Sequence, residues 1–158
     1  MELSHWIWLA TAAYSVHILE EYEFNWRDWA RNVIGLPVEW NDFYVVNAIV
    51  IVLGICAANL ASTAPGVALA YPALLLINGI FFHIVPVIKT RGRFSPGVVT
   101  AVLLFLPIGV MSYCAADRAG ALNAGTLASS FLIGAIMMAS PIVFLKLKSK
   151  PYFQQDHA

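Results

Sequence analysis

Hydrophobic residues run through this chain in five long stretches separated by short polar joints. A bilayer-spanning helix takes about 20 mostly apolar residues to cross a ~30 Å hydrocarbon layer, and the runs predict such helices over about 3–24, 43–60, 67–88, 97–115 and 124–145. The joint 25–42 interleaves Trp26, Trp29 and Trp40 with Arg27, Asp28 and Arg31, the mixture expected of a segment lying on the membrane surface. The joint Lys89–Pro96 is a short basic turn whose proline suits a helix start. Loops 59–66 and 116–123 are short and nearly uncharged, and no repeat is visible.

Composition agrees. The 158 residues are 60% hydrophobic and 11% charged, whereas soluble domains carry about 45–50% apolar and ~25% charged residues. The expectation is an all-α polytopic membrane bundle of five transmembrane helices forming a single domain over 1–158, in the cell membrane. Net charge is zero and no glycine-rich phosphate loop occurs, which argues against a nucleic-acid partner and a nucleotide cofactor. Of the nine basic residues, Arg27, Arg31, Lys89, Arg91, Arg93, Lys146, Lys148 and Lys150 fall on one side of a five-pass topology and Arg118 on the other. Cytoplasmic loops are enriched in Lys and Arg, so the N-terminus is expected outside and the C-terminus in the cytoplasm. The first segment lacks a basic start and a small-residue cleavage site and is expected to be retained. Cys56 and Cys114 sit in apolar runs, where single cysteines behave as small hydrophobes.

The first stretch carries the chemistry. In His17-Ile-Leu-Glu20-Glu21, Glu20 falls about 60° to one side of His17 on a helix and Glu21 about 40° to the other. The three groups share a face that can bind a divalent metal or run acid–base chemistry. A solvated juxtamembrane run is the plainer reading, but the apolar stretch Trp6–Leu19 rises only about 21 Å. The helix has to draw the acids inward to span. Buried carboxylates need partners, and His83, six residues before Lys89, lies at matching depth on the third helix. Gly79, four residues earlier on the same face, would let the first helix approach. Asn47 and Asn78 are further candidates for catalysis, or interhelical glue. Five residues separate Asn78 from His83, about 140° on an ideal helix, so the two share a face only across a π-bulge. Glu39 and Asp42 are accounted for by the start of the second helix.

These motifs resemble the HXXEE family of small multi-pass membrane proteins. His17-Ile-Leu-Glu20-Glu21 is the namesake, Asn78-Gly-Ile-Phe-Phe-His83 is similar to the family's Asn/His motif, and Phe94-Ser-Pro-Gly97 to its aromatic-x-Pro-Gly motif, with Phe where Tyr is usual. The resemblance groups His17, Glu20, Glu21, Asn78 and His83 as one site and carries no role for a phenol at position 94. It implies no particular reaction.

From the residues, the first expectation is a membrane enzyme in which His17, Glu20, Glu21 and His83 hold a divalent metal, zinc or iron, with one glutamate left over as a general base. It would act on an apolar lipid or isoprenoid substrate near the cytoplasmic leaflet. A di-iron site would want more carboxylates. Alternatives are a metal-free acid–base isomerase or cyclase, a proton-coupled carrier, and an assembly subunit. Membrane lipid is the expected partner.

Overall fold

The computed structural model describes residues 1–148, 150 and 152. Among these the fold is entirely helical. Helix α1 spans Leu3–Glu23, α2 Trp26–Val33, α3 Trp40–Leu60, α4 Pro65–Lys89, α5 Val98–Arg118 and α6 Ala124–Lys148. The boundaries follow local chemistry. A reciprocal capping box starts α3, with the Glu39 N–H donating to Asp42 Oδ2 at 3.1 Å, so these two acids serve the helix start as expected. Pro65 opens α4.

Four of the helices, α3 to α6, are long and apolar enough to cross a membrane, which makes this a multi-pass membrane protein. The expected fifth, α1, has the length, at 21 residues, but it is not among the four. His5, Thr11, Ser15, His17 and Glu20 dilute its apolarity, so the helix that carries the motif is the one with the weakest membrane signal.

The centre of the bundle is α4. Its apolar window is 61% buried against 11% for α6, and α1, α3, α5 and α6 all pack against it. Glycines permit the close approaches: a side chain at Gly54 of α3 would strike Tyr71 and Thr11, one at Gly109 of α5 would strike Leu76, and one at Gly134 of α6 would meet the α4 backbone at Ala70. Without a hydrophobic driving force between helices in lipid, such small-residue contacts supply the packing. Gly79 faces Ala101 and Phe105 of α5, not α1 as its position suggested. Two helices contain π-helical turns, Gly79–Ile84 in α4 and Ala101–Phe105 in α5, and these pack against each other.

Helix α2 lies across the end of the bundle where α1 finishes and α3 begins. Trp29 and Ala30 pack with Val38 and with Leu145 of α6. Its rim is ionic: Arg31 pairs with Glu39, and Asp28 accepts from Arg27 Nε and Asn25 Nδ2, both at 2.8 Å. The Arg27 and Asn25 bonds hold the Asp28 carboxyl below its usual range. Pro141 inside α6 has no N–H for the Met137 carbonyl, and the Ser140 hydroxyl donates to that carbonyl at 2.9 Å instead. Cys56 and Cys114 are free thiols.

Candidate metal centre

Helices α1 and α4 bring His17, Glu21 and His83 together, all buried, with one potential ligand atom from each within 4.8 Å of the others. His17 and Glu21 are one turn apart on α1, and the π turn of α4 presents His83 to them. His17 Nε2 stands 3.5 Å and His83 Nε2 3.6 Å from the same oxygen, Glu21 Oε1. Neither Nε2 has a hydrogen-bond partner.

The opposite ring nitrogens are each held by a hydroxyl. Thr100 Oγ1 donates to Glu20 Oε2 at 2.5 Å, so its oxygen is left to accept from His17 Nδ1–H at 2.8 Å. His83 Nδ1 faces Ser95 Oγ at 3.3 Å, a hydroxyl able to accept from it or donate to it. In the tautomer that carries the proton on Nδ1 in both rings, both Nε2 lone pairs point at Glu21 Oε1. Three acceptors then face one another with no donor between them, in a buried space where unsatisfied polar atoms are costly. A cation resolves this. Donors about 2.0–2.2 Å from a tetrahedral zinc are separated from each other by roughly 3.3–3.6 Å, the spacing of both Nε2–Glu21 pairs.

Glu20 is placed elsewhere. It was expected beside Glu21, but its carboxylate accepts from the N–H groups of Gly97 (3.0 Å), Val99 (3.1 Å) and Thr100 (2.8 Å) and from the Thr100 hydroxyl. It therefore closes the start of α5, where N–H groups have no intrahelical acceptor and the helix dipole favours an anion. The 60° and 40° offsets that set the two glutamates on one face also set them on opposite sides of His17.

Gly97 forms the wall of the site. At φ +94° it occupies backbone space that L side chains rarely adopt, and a Cβ there would lie 2.6 Å from Cε1 of both His17 and His83. The two rings meet edge to face, 4.7 Å between centroids. Phe105 covers His17 at 4.4 Å and stacks on Tyr14 at 5.9 Å. Phe94 packs edge-on against Phe24 at the surface, so no phenol from that position reaches the site.

Asn47 and Asn78 lie on the other side of Glu21, lining with it and Tyr14 a cleft of about 70 Å³. The Tyr14 hydroxyl donates to Asn47 Oδ1 at 2.6 Å. Asn78 Nδ2 reaches Met138 Sδ at 3.7 Å, and its Oδ1 is buried without a partner. The π turn at Gly79–Ile84 lies between Asn78 and His83, with Asn78 lining the cleft and His83 in the cluster with Glu21, which lines the cleft as well. Sequence reasoning found no role for Thr100, Ser95, Tyr14 or Phe105. Only the Ser-Pro-Gly motif hinted at the loop that carries Ser95 and Gly97.

A family model described as a protein of unknown function with an HXXEE motif matches residues 8–112. No curated protein and no solved structure matches the chain. The matched span contains every residue of the cluster and of the loop that walls it.

Proposed function

The chain belongs to the HXXEE family, and from that premise we propose that it is an integral membrane enzyme that holds one divalent metal, zinc or iron, on His17, Glu21 and His83. What carries the reading is the convergence of two buried Nε2 atoms without hydrogen-bond partners on Glu21 Oε1, each imidazole being held through its other nitrogen. Hydrogen bonds of that kind orient metal-binding histidines and raise their basicity. Three protein donors leave a position free, as catalytic zinc centres do, and two histidines with one carboxylate also suit non-haem iron. A bound metal would supply Lewis-acid polarisation of a substrate oxygen. The chain's own part is to hold the ligands, through Glu20 and Thr100 on one side and Gly97 on the other. Phe105 and the bundle core exclude water, and the cleft bounded by Tyr14, Asn47 and Asn78 receives the polar end of an apolar lipid or isoprenoid.

This reading places the protein in the cell membrane with α1 as a fifth span. Its 21 residues rise about 31 Å, and it packs along α3 and α5. Eight basic residues at the end that carries the centre would put that end in the cytoplasm and the N-terminus outside. Cysteine-accessibility labelling of residue 2 against residue 92 in intact cells tests the orientation.

Elemental analysis of purified, folded protein tests the centre. One zinc or iron per chain, lost in His17→Ala, His83→Ala and Glu21→Gln, is expected. Wild-type protein that folds and carries no metal, and takes none up, sinks the metal reading and leaves acid–base chemistry or proton relay on the same side chains.

A further inference from the structure

Lys89, Arg91 and Arg93 stand at alternate positions where α4 turns into α5, and all three are exposed. Elsewhere at this end of the bundle cations are matched by acids: Arg27 pairs with Asp28, Arg31 with Glu39 and Lys148 with Asp42. The turn has no such counter-charge. Among the described residues none of its three cations forms an ion pair. Apolar side chains lie beside them: Ile88 and Phe94 are exposed, and Phe94 packs edge-on against the exposed Phe24 at 5.2 Å. We infer that this turn binds an anionic phospholipid, with Lys89, Arg91 and Arg93 on its phosphate and Ile88, Phe24 and Phe94 against its glycerol and first acyl carbons.

Placement, charge and rigidity select that partner. Residues 90–97 alone join two helices that are long and apolar enough to span, so the chain reaches at most about 15 Å beyond their ends before it must return. It turns sooner than that. The Gly92 N–H donates to the Val87 carbonyl at 2.8 Å and the Thr90 hydroxyl to the Pro86 carbonyl at 2.7 Å, which keeps the three cations at the level of the lipid headgroups. A soluble anion would satisfy the charges and leave the apolar side chains bare, whereas a phospholipid presents phosphate above and hydrocarbon below. A zwitterionic lipid brings its own cation and leaves the excess positive charge unmatched, so the lipid is an acidic one. Because the backbone is already fixed by its own hydrogen bonds, binding has to order only the side chains. The turn runs on into Ser95 and Gly97, which lie against the histidine rings, so the lipid docks at the edge of the proposed centre.

The test uses full-length protein in mixed phosphatidylcholine–phosphatidylglycerol nanodiscs containing a trace of either lipid with a diazirine near its glycerol. Each Lys or Arg at a membrane surface favours acidic lipid by about fivefold, so the phosphatidylglycerol probe should label residues 88–94 at least about tenfold more than the phosphatidylcholine probe. Along α2, whose arginines are paired, the excess should stay below about twofold. Lys89→Gln, Arg91→Gln and Arg93→Gln together should bring the turn to the phosphatidylcholine level without lowering the melting temperature, because no ion pair within the protein is lost. Inorganic phosphate should displace the probe no better than chloride at equal ionic strength. Equal labelling of the turn by the two probes, or a triple variant that labels as wild type does, would overturn the inference. So would an equal excess on α2, which means a diffuse field of the whole basic end, and so would displacement by phosphate beyond that by chloride, which means a site for a soluble anion.

Discussion

Replacing Gly97 by alanine separates the wall of the proposed centre from ordinary backbone strain. The new Cβ would lie 2.6 Å from Cε1 of His17, 2.6 Å from Cε1 of His83 and 3.0 Å from His83 Nδ1, at φ +94°. Carbon atoms rest about 3.5–4.0 Å apart, so each imidazole must retreat by close to 1 Å or the start of α5 must move off Glu20. The left-handed backbone costs about 1–2 kcal/mol in alanine and the overpacking about 1–3 kcal/mol more. Gly92 supplies the control, with φ +98° and nothing within 4 Å of its added Cβ, so Gly92→Ala should show the backbone part alone. In thermal melts of detergent-solubilised protein, Gly97→Ala should therefore melt about 3–9 °C below Gly92→Ala. Metal distances tolerate about ±0.2 Å, and a shift near 1 Å should lower metal affinity by at least about 100-fold, read by titration with a chromophoric chelator. Equal melting temperatures and equal metal affinity in the two variants would refute the claim that Gly97 sets the spacing of the imidazoles.

Three other outcomes follow from the same contacts. Thr100→Val removes the hydroxyl between Glu20 and His17 and should lower metal affinity about 10–100-fold, with Thr100→Ser restoring it; chelator titration on the two variants decides. Glu20→Gln should melt lower, by about 1–2 kcal/mol for the lost charge at the start of α5, yet keep its metal, whereas Glu21→Gln should lose the metal, and elemental analysis that fails to separate the two would contradict this division of roles between the glutamates. Gly54→Ala drives a Cβ to 2.6 Å from Tyr71 Cζ where α1, α3 and α4 meet, and should destabilise the protein by about 1–3 kcal/mol without changing metal stoichiometry in the folded fraction, as thermal melts and metal content on one preparation would reveal.

The helices were legible because lipid imposes length and apolarity on anything that crosses it, and four of the five expected stretches reappear as helices with both properties. His17, Glu21 and His83 were legible because acids and imidazoles are expensive in such stretches and so have to find one another. The role of Glu20 was not. Helical phase gave its angle to His17, but the partner that claimed its carboxylate is the start of a helix some 77 residues further along the chain, and no periodicity in α1 records that. Thr100 was hidden for the same reason: its hydroxyl joins two residues of another helix, and alone it reads as one more threonine near a helix start. Gly97 lay in a recognised motif, yet its use appears only when two imidazoles are seen to occupy the space of its missing side chain.

The two π turns give this site its shape, and they act in the same way. Across each, residues five apart come onto one face. In α4 the pair is Asn78 and His83, one lining the cleft beside Glu21 and one in the buried His17–Glu21–His83 cluster, so the turn sets a cleft residue beside a candidate ligand. In α5 the pair is Thr100 and Phe105, and both lie against His17, the hydroxyl on its Nδ1 and the ring at 4.4 Å. An unbroken α-helix would carry the second member of each pair about 140° away, and either His83 or Asn78, either Thr100 or Phe105, would face elsewhere. Gly79 lies against Ala101 and Phe105, so the wide turns also abut, and a change in one presses on the other. The fold thus sets its widened turns where α1 presents His17 and Glu21, and the far halves of the same helices, Ala70–Asn78 preceded by a break at Leu69 in α4 and Leu106–Arg118 in α5, hold none, as expected if widened turns are kept only where they position function.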